Sequence, residues 1–293
     1  MTRSSPGSRL PSATSLDPRA SPWSRPEHRA PRAPTTGTDL AISGSDWPLG
    51  ALELKVSDLT REVEFYEWFG LTRAGGDDHH AAMSAGGAPI LRLTAMPNGK
   101  QRPRHTAGLF HFAILLPAEQ ELGAFLRRAI EEKLPLTGSA DHFVSQALYF
   151  DDPEGNGIEV YADRPRSEWR YPGGRLNIGT EPLDFERLVR IADPPRKKFS
   201  EATRLGHMHL NVADLDSSQA AYEALGMEVM AVAGSVMRFL SWDGYHHHLG
   251  INVLEGRGAH PVQPDVLGLR GFEIRRLSRP LTDPNGLLLA PSL

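Results

Sequence analysis

The chain contains no cysteine. Disulfides, iron–sulfur clusters and thiolate zinc sites are therefore excluded, and any metal must be held by histidine and carboxylate. The absence fits a reducing cytoplasm, the compartment expected here. No run of ~18 apolar residues occurs, so no membrane-spanning helix is expected. There is no strong excess of either charge: 32 Lys and Arg against 36 Asp and Glu leave a net charge of −4. Neither nucleic acid nor an anionic membrane is implied as a partner.

What is present is an ordinary globular mixture, 40% hydrophobic and 23% charged over 293 residues, long enough for two domains. Residues 1–45 differ from the rest. They are rich in Pro, Ser, Arg, Ala and Thr, with six arginines and no lysine before Pro34. Such a segment buries too little apolar surface to offset its ordering entropy. A disordered tail or a misassigned start codon is preferred over an organellar transit peptide, and no apolar core of a secretory signal follows the charges.

The remainder carries an internal repeat. Leu49-Gly50-Ala51-Leu52-Glu53-Leu54-Lys55-Val56-Ser57-Asp58-Leu59 is echoed by Leu205-Gly206-His207-Met208-His209-Leu210-Asn211-Val212-Ala213-Asp214-Leu215. Tyr66 and Tyr222 follow, then Gly70 and Gly226, all at an offset of 156 residues. The unit reads as a strand, an Asp cap, an amphipathic helix, a glycine stop and further strands. A second kind of unit opens at Gly108-Leu109-Phe110-His111-Phe112-Ala113. It continues through a helix expected from about Ala118 to Lys133, with Leu122, Phe125, Leu126 and Ile130 on one face. It closes around the turn Asp152-Pro153-Glu154-Gly155-Asn156-Gly157. Its late counterpart opens at Gly268, reaches Asp283-Pro284-Asn285-Gly286 and is shorter by about one helix.

The chain thus reads as α+β, four βαβββ modules with the last truncated. The expected division is a tail over 1–45 and a first domain over 46–170 holding modules one and two. A linker over 171–200, with a short helix near 183–192, leads to a second domain over 201–293 holding modules three and four.

Three features carry chemistry. His207 and His209 lie two apart on a strand and so face one side; a hydrogen-bonded core pair is the plain alternative. Tyr245 precedes the triplet His246-His247-His248, in which alternation sets His247 opposite its neighbours; a solvated strand mouth is the alternative. His111 and Glu159 each interrupt an apolar strand. A carboxylate between Ile158 and Val160 is costly to bury without a partner, and a metal ion would be one; a solvated edge is the alternative. Two imidazoles and a carboxylate match the ligand set of non-haem Fe(II) oxygenases.

The stretch Leu148-Tyr149-Phe150-Asp151-Asp152-Pro153-Glu154-Gly155-Asn156-Gly157-Ile158-Glu159-Val160-Tyr161, with Gly179-Thr180-Glu181-Pro182-Leu183-Asp184 and the histidine triplet, resembles the vicinal oxygen chelate superfamily. Within it, the chain is most similar to the bacterial catechol 2,3-dioxygenase-like proteins, over roughly residues 48–290. The resemblance implies the vicinal oxygen chelate fold, in which the modules form two cupped mixed sheets. The resemblance implies an extradiol dioxygenase of aromatic catabolism that cleaves a catechol with O2 to a hydroxymuconic semialdehyde-type product. It implies Fe(II), with Mn(II) as the other candidate, on His111, Glu159 and His207, and leaves His209 as an alternative to His207. His247 matches the acid/base histidine and Tyr149 the active-site tyrosine, while His142 lies near a further supporting histidine at a different spacing. Phe110, Phe112 and Trp242 are expected to hold the ring. A glyoxalase-like lyase or isomerase and a non-catalytic, bleomycin-resistance-like binding protein remain as alternatives, and a homo-oligomer is left open.

One departure shapes the expectation. Ala51 stands where His207 does, Gly271 where His111 does, and the closing segment Leu287-Leu288-Leu289-Ala290 has no carboxylate. Neither modules one and two nor modules three and four hold a full ligand set. Modules two and three together do, and they are expected to share one cup.

Overall fold

The computed structural model describes residues 47–292, so the expected tail over 1–45 lies outside the described residues. Module one comprises β1 (Leu49–Val56), α1 (Leu59–Phe69), β2 (Thr72–Gly76), β3 (His80–Ser84) and β4 (Pro89–Ala95). Module two comprises β5 (Gly108–Leu116), α2 (Glu119–Glu131), β6 (Gly138–Asp141), β7 (Ser145–Asp151) and β8 (Gly157–Asp163). The linker contains α3 (Phe185–Ile191). Module three comprises β9 (Arg204–Asn211), α4 (Leu215–Glu223), β10 (Glu228–Ala233), β11 (Met237–Ser241) and β12 (Leu249–Asn252). Module four is β13 (Gly268–Ile274), β14 (Leu281–Thr282) and β15 (Leu288–Ala290), without a helix among the described residues.

The strands form two sheets, and modules are not grouped by chain order. The larger runs β10-β11-β12-β9-β5-β8-β7-β6 and joins modules two and three. The smaller runs β14-β15-β13-β1-β4-β3-β2 and joins modules one and four. The expected grouping of one with two and three with four is therefore not how the sheets divide. The reason is that the opening strands pair antiparallel across modules, β5 with β9 and β1 with β13.

Local chemistry explains the repeat. Asp58 and Asp214 cap α1 and α4 by accepting from the Arg61 and Ser217 N–H groups. Gly70 ends α1 at φ 136°, a left-handed region open to glycine. Each helix tyrosine then finds a turn aspartate in the following module: the Tyr66 hydroxyl donates to Asp152 at 2.8 Å, and that of Tyr222 to Asp283 at 2.9 Å. Each aspartate also accepts from the N–H groups of its own turn, Glu154 and Asn156 for Asp152, Asn285 and Leu287 for Asp283. These paired clamps tie one sheet to the other, module one to module two and module three to module four.

One apolar core runs through both sheets, with Leu52, Leu54, Phe112, Ile158, Leu210 and Ile251 among its fully buried members. Leu122, Phe125 and Leu126 of α2 join it as expected, but Ile130 is 58% exposed and the inward position falls to Ala129. The linker is docked. The α3 carbonyl of Leu188 lies 2.3 Å from where a Cβ on Gly123 would stand, so glycine is what lets α3 approach α2. Among the described residues no helix is long and apolar enough to cross a membrane.

Glu62 sits under the Tyr66–Asp152 clamp, fully buried. Burial, with Asp152 and Glu154 nearby, pushes its carboxyl up to about 9. The folded chain thus keeps a proton that the unfolded chain releases above 4.5, and stability falls as pH rises between those values. Glu62→Gln is expected to raise the Tm, by roughly 2–4 °C for each kcal/mol recovered, with a gain that grows from pH 5 to pH 9. A gain independent of pH in thermal melts would contradict this origin.

Candidate metal centre

Three neighbouring strands of the larger sheet converge on one point. Ala113 of β5 lies opposite His207 on β9 and opposite Glu159 on β8. His111, two residues earlier, comes from the strand between them. Its β8 neighbour is Gly157, where a side chain would run into the backbone of Phe110. The exposures of His111, Glu159 and His207 are 7%, 2% and 1%, so the solvated-edge alternative for Glu159 fails.

One ligand atom from each residue lies within 4.8 Å of the others, and among the described residues this is the group able to hold a metal ion. The Glu159 Oε2 is 3.0 Å from His111 Nε2 and 3.2 Å from His207 Nε2. Neighbouring ligands of an octahedral ion with bonds of about 2.1 Å stand about 3 Å apart. His111 Nε2 is also buried without a hydrogen-bond partner, although the carboxylate is near. Its direction suits a lone pair given to a cation better than an N–H given to oxygen.

The charge states agree with that use. Burial pushes His207 down to about 4 against the pull of Glu159, so its imidazole is neutral at neutral pH. Burial would raise Glu159, but the pull of His207 and His111 beside it holds its carboxyl well below the usual range. A neutral imidazole and an ionised carboxylate are the forms a cation needs.

The other residues singled out from sequence gather around this cluster. His247 packs on His207 with ring centres 4.1 Å apart. Its Nδ1 is 2.7 Å from His246 Nδ1, and His246 Nε2 is 2.8 Å from Asp163 Oδ1. The carboxylate can only accept, so His246 donates from Nε2. With a neutral His246, its Nδ1 accepts from His247 Nδ1, which leaves the His247 Nε2 as a free base. Tyr149 on β7 hydrogen-bonds His142 Nε2 at 2.7 Å, and His142 Nδ1 donates to the Gly179 carbonyl at 2.6 Å. Burial, and Glu159 beside it, push the Tyr149 hydroxyl well above its ordinary value, so it stays protonated. His209 lies beside His111, ring centres 4.9 Å apart, but outside the converging three.

The histidine triplet is buried and lies in the loop before β12, contrary to a solvated strand mouth. His248 turns away and packs edge-on against Trp47. Sequence reasoning missed Asp163, whose spacing offered a signal: Glu159, Tyr161 and Asp163 alternate along one face of β8. It also missed Gly206, where a Cβ would stand 2.1 Å from the Tyr161 hydroxyl. That closeness lets Tyr161 pack on His207, ring centres 4.8 Å apart.

A cavity of about 500 Å³ opens on the cluster. Phe110 lines it because the register shifts between Leu109 and His111, bringing both rings to one side. Phe112 does not; it faces the opposite side of β5 and is fully buried near Tyr66. Trp242 does not either, since its indole N–H donates to the Leu225 carbonyl behind the sheet strand. Ile178, Met237 and Phe239 supply the apolar wall instead.

Against known proteins, residues 49–160 match the Glyoxalase/Bleomycin resistance protein/Dioxygenase superfamily. The chain is 41% identical over 236 residues to the catechol-2,3-dioxygenase of Bacillus subtilis (strain 168), covering 78% of this chain and 82% of that one. It belongs to that superfamily, the vicinal oxygen chelate group. A solved candidate dioxygenase from Bacillus subtilis subsp. subtilis str. 168 has a TM-score of 0.52 at 14% identity, over 83% of this chain and 84% of that one. The cppA protein from Streptococcus pneumoniae TIGR4 has a TM-score of 0.50 at 12% identity, over 84% and 99%. These two likenesses bear on the fold alone.

Burial also holds His209, His247 and His248 well below the ordinary histidine range. Each of the four takes up a proton more readily unfolded than folded, so stability is present at neutral pH and is lost as pH falls. The window opens at about 6.5 and for His207 extends to about 4. Glu62 opposes this with a single proton, so the Glu62→Gln variant isolates the histidine effect. The metal-free variant is expected to lose Tm steadily from pH 6.5 to pH 4.5; a flat Tm over that range would contradict neutral, buried histidines.

Proposed function

We propose that this chain is an extradiol dioxygenase that cleaves a catechol beside its two hydroxyls, using O2 and an Fe(II) ion held by His111, Glu159 and His207. The observation that carries this reading is the buried cluster of two imidazoles and one carboxylate, open on one side to a cavity and flanked by Tyr149 and His247. The likeness to a catechol-2,3-dioxygenase across most of both chains supports it. Mn(II) suits the same donor set, and the choice between the two ions is part of the proposal. The lack of cysteine agrees with a cytoplasmic enzyme.

In this reading the bound ion supplies a chelating site for both catechol oxygens and the electronic coupling that lets the ring reduce O2. The protein supplies the rest. The free Nε2 of His247 takes a proton from the incoming substrate and returns it as the ring opens. His246 and Asp163 hold that ring in the tautomer the step needs. Tyr149, oriented by His142, hydrogen-bonds a substrate oxygen. The apolar wall keeps water away from the reacting atoms. The reaction balances with one ring C–C bond broken and both atoms of O2 retained in a hydroxymuconic semialdehyde-type product.

Loading under anaerobic, reducing conditions with Fe(II), followed by catechol and air, is expected to give a yellow product near neutral pH. Metal binding without turnover would favour a lyase, isomerase or binding protein instead. His207→Ala and His111→Ala are expected to lose stoichiometric metal equally, since both ligands come from the central strand pair; retained iron in His207→Ala would contradict the ligand set. His247→Ala is expected to keep its metal and lose roughly 10²–10⁴-fold in kcat. Wild-type kcat in that variant would remove His247 from the mechanism.

A further inference from the structure

We propose that the cavity selects an uncharged catechol carrying a bulky apolar substituent and rejects a catechol carrying a carboxylate. This rests on the dioxygenase reading and names its substrate class.

The first argument is size. A cavity of ~150 Å³ already holds a benzene ring. The cavity beside the metal cluster is about 500 Å³, so a bare catechol leaves most of it unfilled. The second is lining. The polar groups His142, Tyr149, His209 and His247 stand around the cluster, where the two hydroxyls must go. The apolar walls beyond are Phe110, Ile178, Met237 and Phe239, which offer a substituent dispersion contact, and the polar side chains there, Thr137 and Thr180, carry no positive charge.

The third argument is charge. Among the described residues no lysine or arginine lines the cavity, and its acidic members are Glu159 and Asp151. Glu159 is committed to the cluster. Asp151, exposed at the end of β7, would repel a substituent of its own sign. A carboxylate on the substrate would lose its water and gain no counter-ion, which costs more than the apolar wall returns.

The walls come from three separate places, and this makes the selection specific to the chain. Ile178 belongs to the linker, which is held down where the Gly179 carbonyl accepts from His142 and where Asp141 bridges Glu181. Phe143 of the β6–β7 turn lies where a Cβ on Gly179 would fall, so glycine lets the linker pack against that turn. Met237 and Phe239 belong to β11 of module three, on the far side of the metal cluster from β7. The linker and module three thus face each other across the substituent.

Calorimetry on the metal-free full chain tests the preference apart from turnover. The probes are phenol, phenol bearing a tert-butyl group and phenol bearing a carboxylate. The tert-butyl compound is expected to bind roughly tenfold or more tighter than phenol, and the carboxylate more weakly than phenol. Equal or tighter binding of the carboxylate overturns the proposal. The corresponding catechols with the Fe(II)-loaded protein are expected to follow the same order in kcat/KM. If the binding order holds and no catechol is cleaved, the preference stands and the dioxygenase reading falls. If catechols are cleaved with the carboxylate preferred, the dioxygenase reading stands and the preference falls. Met237→Arg, checked for folding by its Tm, supplies the missing cation and is expected to reverse the order. An unchanged order in the folded variant overturns the proposed seat of the substituent.

Discussion

A carboxylate is held where water cannot reach it, and the centre of this molecule depends on how that cost is met. Glu159 is 2% exposed between the buried Ile158 and Val160. An unpaired carboxylate in such a place is among the most expensive groups a fold can bury. Its nearest polar atoms are the Nε2 nitrogens of His111 and His207, and burial keeps the His207 imidazole neutral at neutral pH. Without a cation, His207 Nε2 meets part of that cost by hydrogen-bonding the carboxylate at 3.2 Å, while His111 Nε2 is left without a partner. The fold spends rigidity to hold them there, and a divalent metal returns that cost on binding.

That geometry needs β5 and β9 side by side, although nearly one hundred residues separate His111 from His207. The pairing of modules two with three, and of one with four, makes them neighbours. The tyrosine–aspartate clamps then hold the two sheets together through buried hydrogen bonds, Tyr66 to Asp152 and Tyr222 to Asp283. The smaller sheet shows what the same frame does without ligands. At its centre Glu273 pairs with Arg92 at 2.9 Å and accepts from the Ala51 N–H. A guanidinium there compensates a carboxylate where a metal would otherwise be needed.

Much of this was legible in the residues. The 156-residue offset marked the modules because caps, tyrosines and glycine stops obey local rules. His111, Glu159 and His207 stood out because polar groups inside apolar strands require a reason. The absence of matching residues in the outer modules pointed to a shared cup for the middle two. What stayed hidden depends on long-range placement. Phe110 rather than Phe112 reaches the cavity because of a register shift that no local pattern announces. Ile178 lies in a linker whose path is set by contacts with His142 and Phe143. The support of His247 by His246 and Asp163 joins residues more than eighty apart, and only the alternation along β8 hinted at it.

The most direct measurement is an anomalous-scattering map, recorded at the iron edge, from crystals of the Fe(II)-loaded protein. A single strong peak is expected within bonding distance of His111 Nε2, His207 Nε2 and a Glu159 carboxylate oxygen, open on the side facing Tyr149 and His247. A peak bound by His209 instead of His207, or a fully loaded protein with no peak at this point, would contradict this ligand set.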